Sequence, residues 1–503
     1  MIAYVDRFGG GGIRALHSLL IGLLPDVFDG VHLLPFYDPI DGADAGFDPI
    51  DHTRVDPRLG DWSDIAALAR ETDLMADIIV NHISDRSPQF LDFLEHGSAS
   101  PYQRLFLTLQ SVFPDGVEEA DLRKIYRPRP GLPFREVTLA SGERRTLWTT
   151  FAPQQLDIDV GHGEGRDYLD RILAVLVSSG VSMVRMDAVG YAIKKAGTSC
   201  FMLPETFDFI AKFAAQGRIL GVDVLVEVHA HYRLQIEIAA LDCWVYDFAL
   251  PPLVLHAFAF GTAEPLKNWI RIRPNNAVTV LDTHDGIGMI DIGADPSDRQ
   301  TRPGLVPPDE IDSLIESIHE RSAGASRKAT GTAAANLDLY QVNCTFLDAM
   351  GGDVRRYLLA RAIQLFLPGI PQIYYVGLLA GRNDMKLLAH TGVGRDINRH
   401  RYSRAEIEAA LEQAVVRDLL VLIRLRNSHP AFAGVFRLLD SPLGTLALRW
   451  DNDAQFAELH VHMPSGRHEL IYSSAAGTRQ VSFESSGAQP DYVRFVPGSA
   501  PLY

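Results

Sequence analysis

Paired cysteines, a surplus of basic charge and long apolar runs are all missing from this sequence. Its three cysteines, Cys200, Cys243 and Cys344, are scattered and form no C-x-x-C pair, which excludes a disulfide framework and reads as buried, reduced thiols. Lysine and arginine number 47 against 63 aspartate and glutamate, a net charge of -16 that excludes general nucleic-acid binding. No apolar run nears the roughly 20 residues of a bilayer span, so no membrane contact is expected. The opening MIAYVDRFGG reaches charges and glycines too soon for a signal peptide, so a cytoplasmic location is expected. There is no solenoid repeat, no G-x-S-x-G elbow, and no P-loop or G-x-G-x-x-G after a strand. The early Gly9 to Gly12 run reads as a flexible turn between strand and helix. Asp77, Asn81 and His82 carry hard-cation ligand atoms, but no EF-hand, HExxH or paired-cysteine pattern accompanies them, so no metal is expected.

What the sequence does contain is a repeated alternation. Short β-branched, apolar runs end in polar residues, and helical periodicity fills the stretches between them. Eight such runs stand out: AYVD, GVHLLPF, MADIIVNH, MVRMDAVG, DVLVEVH, CWVYDFAL, AVTVLDTHD and IPQIYYV. Strands apolar along their whole length are those of a parallel sheet covered on both faces, and eight βα units make a (β/α)8 TIM barrel. The 503 residues exceed the roughly 250 of such a barrel, and the surplus falls in three places. The barrel is expected in residues 1–81, 161–285 and 351–430. Inserted subdomains are expected at 82–160, after the third strand, and at 286–350, after the seventh. The alternating segments TLALRW, FAELHVHM, HELIYSS and RQVSFE in 431–503 read as an antiparallel β domain, a sandwich. The acidic stretch from Asp309 to Glu320 reads as the solvated face of a helix.

Three carboxylates fall at strand ends, where barrels of this kind carry their active sites: Asp187, Glu227 and Asp285. Retaining cleavage of a glycosidic bond needs one carboxylate to attack the anomeric carbon and a second carboxylic acid to protonate the leaving oxygen. The trio supplies both and leaves one to bind sugar hydroxyls and favour the distorted ring. Arg185, two residues before Asp187, shares its face, so its guanidinium is expected to keep Asp187 ionised as the nucleophile. Glu227 lies in VLVEVH without an adjacent cation, the setting expected of the acid/base. His82 and His284, in VNH and DTHD, stand on the same rim and suit sugar hydroxyls.

The segments DIIVNH, VRMDAV, EVH and DTHD resemble the four signature regions of the α-amylase superfamily of glycoside hydrolases. GADAGFDPIDH, YRPRPGLPF, AGTSCFM, YDFALPP, NLDLYQVN and GRDINRH extend the likeness over nearly the whole chain, and are similar to the sucrose phosphorylase family. The resemblance implies a glucosyl subsite of Asp44, Phe47, His82, Arg185, His284 and Arg395, with Gln155 and Tyr191 nearby. It also implies an acceptor loop of Leu337, Asp338, Tyr340 and Gln341. There Arg129 and Tyr340 would bind phosphate, and Asp338 and Gln341 would contact fructose. The activity implied is reversible conversion of sucrose and phosphate to α-D-glucose 1-phosphate and D-fructose, with transglucosylation to other acceptors. No cofactor is implied, phosphate being a co-substrate, and a homodimer is. Open alternatives are a sucrose hydrolase or a phosphorylase of glucosylglycerol, glucosylglycerate or sucrose 6-phosphate. A catalytically silent barrel is disfavoured by the intact trio.

Overall fold

The computed structural model describes residues 1–42, 44–129, 131–296, 300–331, 341–474 and 477–480, and the backbone of 481, 483–485 and 493–495. Eight strands form one parallel sheet in chain order: β1 Ile2–Ala3, β2 Gly30–Leu33, β3 Asp73–Ile79, β4 Met183–Asp187, β5 Asp223–Val226, β6 Trp244–Asp247, β7 Ala277–Thr279 and β8 Ile370–Pro371. Ile2 N–H donates to the Ile373 carbonyl at 2.9 Å, and Ile2 bridges Tyr374 in parallel, so the last strand meets the first and the sheet closes. Six of the eight apolar runs contain one of these strands whole, AYVD and MADIIVNH overlap β1 and β3, which begin one and two residues earlier, and the (β/α)8 barrel expected from them is what forms.

The strands are shorter than the runs that announced them. In AVTVLDTHD the ladder stops at Thr279, and in IPQIYYV at Pro371, with Tyr375–Leu378 already helical. Apolar character marks burial, and the barrel rim buries loop residues as fully as strand residues. Inside the barrel, Leu225, Tyr246, Phe248, Val278 and Val280 pack as one cluster, with a polar layer of His32, Asp77 and Arg185 also buried.

Two excursions leave the C-terminal ends of strands. After β3, residues 82–84 pair antiparallel with 155–157, closing a segment that holds the hairpin 134–138/144–148 and a small core of Leu107, Val112, Phe113, Ile125 and Trp148 with Cys200. Buried Lys194 fastens it. Its ammonium reaches Asp157 Oδ2 at 2.7 Å, Asn81 Oδ1 at 3.0 Å and the Tyr191 carbonyl. After β7, residues 287–288 pair with 341–342. The helix Pro308–Arg321 there buries Leu314, Ile318 and His319 and exposes Asp309, Asp312, Glu316 and Glu320. Glu310 is the member of the acidic stretch that turns inward, 2.7 Å from buried His256.

The C-terminal strands Val435–Leu438, Thr445–Asn452, Gln455–His462, Arg467–Ser474 and Gly477–Val481 form one antiparallel sheet in that order. Residues 483–485 and 493–495 pair antiparallel as a separate two-stranded sheet. The five-stranded sheet lies against the barrel, where Trp450 Nε1 donates to the Phe366 carbonyl at 2.6 Å. The Gly9 to Gly12 run is exposed at Gly10 and Gly11 and closely packed at Gly12. Gly12 has φ +76°, and a Cβ there would lie 2.4 Å from the Leu59 carbonyl oxygen. The three cysteines are free and buried, and no helix among the described residues is long and apolar enough to cross a membrane.

Candidate active site

Asp187 is the last residue of β4, Glu227 follows β5 by one residue, and Asp285 follows β7 by six, in a loop. All three line one cleft at the C-terminal rim, together with Asp44, Phe47, His82, Arg129, Tyr191, His284, Gln341 and Arg395. Gln155 stands behind this wall and donates to Asp44 Oδ2 at 3.3 Å, and Arg185 lies beneath the carboxylates. Leu337, Asp338 and Tyr340 lie outside the described residues.

Arg185 is 1% exposed and its guanidinium is shared three ways. Nη1 meets Asp187 Oδ1 at 3.0 Å and also contacts Asp77, while Nη2 meets Glu227 Oε1 at 2.7 Å. Both expectations drawn from Arg185 need correction. Glu227 has no cation in its own strand, but the register of β4 with β5 sets Arg185 opposite Leu225, two residues before Glu227, and within reach of it. Nor does Arg185 hold Asp187 low: burial first, and then the Glu227 carboxylate, push the Asp187 carboxyl well above the usual range against Arg185's pull. One cation is divided among three carboxylates.

Asp285 has the opposite surroundings. Burial disfavours its charge, but Arg395 Nη1 at 2.9 Å and Arg399 Nη2 at 3.7 Å overcome this and hold its carboxyl far below the usual range. Phe47 stacks on His284, with ring centroids 4.9 Å apart and planes 10° apart. His82 Nε2 lies 2.9 Å from the Phe47 carbonyl, an acceptor, so the proton belongs on Nε2 and Nδ1 is left to accept. Burial lowers both His82 and His284, leaving neutral rings, and Nδ1 of each is buried without a hydrogen-bond partner in the protein. Such atoms suit ligand hydroxyls. Tyr191 belongs to an aromatic wall with Phe151, Phe201 and Tyr126.

The sequence reading passed over His229, Asp291, Arg399 and Phe151. His229 and Arg399 stand inside quoted motifs, EVH and GRDINRH, two and four residues from chosen positions, but nothing in their spacing sets them apart. Of the suspected cation ligands, Asp77 is engaged by Arg185 and His32, Asn81 by Lys194, and His82 by Phe47. Glu227, His229 and Asp285 present ligand atoms within 4.8 Å of one another, but both carboxylates already pair with arginines.

A family model described as the α-amylase catalytic domain matches residues 27–216. The sucrose phosphorylase of Agrobacterium vitis is 56% identical over 473 residues, covering 94% of this chain and 96% of that protein. The chain belongs to the sucrose phosphorylase family. A second sucrose phosphorylase, from Bifidobacterium adolescentis, is 52% identical over 459 residues, 91% of each chain. The crystal structure of sucrose 6F-phosphate phosphorylase from Thermoanaerobacter thermosaccharolyticum superposes with a TM-score of 0.87 at 35% identity, covering 95% of this chain and 97% of that one. Membership accounts for the α-amylase-type barrel with its C-terminal β domain.

Proposed function

We propose that this protein converts sucrose and inorganic phosphate to α-D-glucose 1-phosphate and D-fructose with net retention. The observation that carries the reading is the pairing of Asp187 and Glu227 on one buried guanidinium, in a chain 56% identical to a sucrose phosphorylase. Asp187 attacks the anomeric carbon of the glucosyl group, and the C1–O bond breaks as Glu227 donates its proton to the fructosyl oxygen. Phosphate then enters the vacated space, Glu227 takes its proton, and the phosphate oxygen displaces Asp187 from the opposite face. The same steps run backwards, and other hydroxyl acceptors can replace phosphate.

The division of labour is set as the transition state forms. In the empty cleft burial and repulsion favour a proton within the Asp187 and Glu227 pair, and the reaction needs that proton on Glu227. Positive charge developing at C1 offsets the repulsion on Asp187 in the transition state, where stabilisation counts. Asp285, held ionised by Arg395, offers its oxygens to the sugar hydroxyls, with His82, His284 and Asp44 around the same ring. No metal or organic cofactor takes part. The excursions at 82–160 and 286–350 wall the cleft and bring Arg129 and Gln341 to it. In the acceptor space Arg129 and Tyr340 bind phosphate, Asp338 and Gln341 contact fructose, and Leu337 belongs to the same acceptor-binding set.

Water at about 55 M competes with phosphate at roughly 10 mM, so even parity requires about 5 kcal/mol in favour of phosphate. A planar guanidinium that bonds two phosphate oxygens at once suits that demand. The test is incubation of the purified protein with sucrose, with and without phosphate, assaying glucose 1-phosphate and free glucose. Phosphate-dependent glucose 1-phosphate is expected. Equal glucose release in both, with no sugar phosphate, would show a hydrolase, and no turnover of sucrose would point to another glucosyl donor.

A further inference from the structure

Asp291 lies outside the cleft and is completely buried, in the 3-10 turn Ile290–Ile292 at the root of the second excursion. It is nevertheless bound by two contacts to the loop after β5 and by one to the helix Tyr232–Ala239 that follows it. Oδ2 lies 3.1 Å from His229 Nδ1, and Oδ1 accepts from Ala230 N–H at 3.3 Å and from Gln235 Nε2 at 3.1 Å. A carboxylate that accepts from Nδ1 leaves the proton there and turns the other ring nitrogen outward. That nitrogen, His229 Nε2, is buried without a protein partner, and His229 offers a ring nitrogen within 4.8 Å of the Glu227 and Asp285 oxygens. The ring is clamped from its face by Phe248, 3.8 Å away and inclined 17°.

We propose that Asp291 is a positioning residue for the acceptor half of the reaction, fixing His229 so that Nε2 presents an N–H to an oxyanion entering beside Glu227. The inference rests on the phosphorolysis reading. It assigns the root of the second excursion a direct part in acceptor choice. The charges facing His229 are Asp291 from the 3-10 turn, Glu227 after β5 and Asp285 after β7. Burial works against the imidazolium, but Asp291, with the other two behind it, raises its affinity for the proton. When the ring is protonated, the Nε2–H of the imidazolium is the donor aimed at the space an anionic acceptor must occupy, and water gains less from it than phosphate does. Gly288 is part of the device. A Cβ there would lie 2.3 Å from Asp291 Oδ2 and 3.2 Å from His229 Nδ1, so only glycine leaves the pair in contact.

The experiment compares phosphorolysis with hydrolysis of sucrose in the unmodified protein, Asp291→Asn and Gly288→Ala. Asparagine keeps the shape and can still accept from Ala230, but it removes the charge that holds His229 protonated. The KM for phosphate is expected to rise about tenfold, the difference between a charged and a neutral hydrogen bond, while the hydrolytic rate falls by a smaller factor. Because Asp291 raises the pKa of His229, the imidazolium is present below that pKa and lost as pH rises through it. In Asp291→Asn the fall of phosphorolysis relative to hydrolysis should therefore move to lower pH, and comparison at matched pH cancels phosphate's own titration. Gly288→Ala should reproduce the KM rise. A phosphate KM that stays within twofold in both variants overturns the proposal, as does a proportional loss of both activities, the mark of a structural role alone. Failure of the unmodified protein to form glucose 1-phosphate overturns the functional reading itself, a separate result.

Discussion

Replacing Glu227 with glutamine tests both its role and its electrical effect on Asp187. Glutamine keeps the side chain's size and one oxygen to accept from Arg185 Nη2, now 2.7 Å from Glu227 Oε1, while its amide nitrogen gives up the weaker contact from Ala188 N–H, 3.3 Å from Oε2. What disappears is the transferable proton and the negative charge. Loss of general acid catalysis costs about 10²–10⁴ in rate, or about 3–5 kcal/mol, on a donor whose leaving group must be protonated. Fructose release from sucrose should fall by that factor. A donor whose leaving group departs unprotonated, such as α-glucosyl fluoride, should lose less than about tenfold in fluoride release. The charge effect has its own sign. Asp187 is pushed up by burial and then by Glu227, against Arg185. Without the Glu227 charge, Asp187 ionises at lower pH, so the acidic limb of the fluoride reaction should move down in pH. Equal losses on the two donors would remove Glu227 from the acid role. An acidic limb that stays in place would refute the coupling to Asp187.

Lys194→Met removes the ammonium that neutralises Asp157, whose side chain is fully buried. An orphaned buried charge costs about 3–5 kcal/mol, so the urea midpoint should fall clearly, and an unchanged midpoint would show the contact to be incidental. Gly369→Ala places a methyl group 2.1 Å from the Ala277 carbonyl oxygen at φ +107°, between β7 and β8. A non-glycine residue in such a conformation costs about 1–3 kcal/mol before the clash is counted. Its thermal midpoint should drop, and a variant as stable as the parent would mean that the barrel seam relaxes freely.

The strands were legible because parallel strands buried on both faces must be apolar along their length, which is why VLVEV and MADIIV could be read as strands. Their ends were not, because DTHD and QIYYV are as buried in loop and helix as they would be in a ladder. The C-terminal alternation told which residues face inward in TLALRW and FAELHVHM, but not that a barrel helix covers them.

Within the site, the residue types and their order along eight strands settled which carboxylates could meet, because barrel topology sends every strand end to one rim. Sequence spacing also placed Arg185 on the face of Asp187, since alternate residues of a strand point the same way. It could not place Arg185 beside Glu227, or Asp291 beside His229. Those contacts join residues 42 and 62 positions apart, and they exist only because β4 and β5 pair in one register and the root of the second excursion packs on the loop after β5. Charge sharing follows from such contacts and from burial, so the sequence determined which groups the site holds. Which of them carries a proton was decided by the tertiary structure.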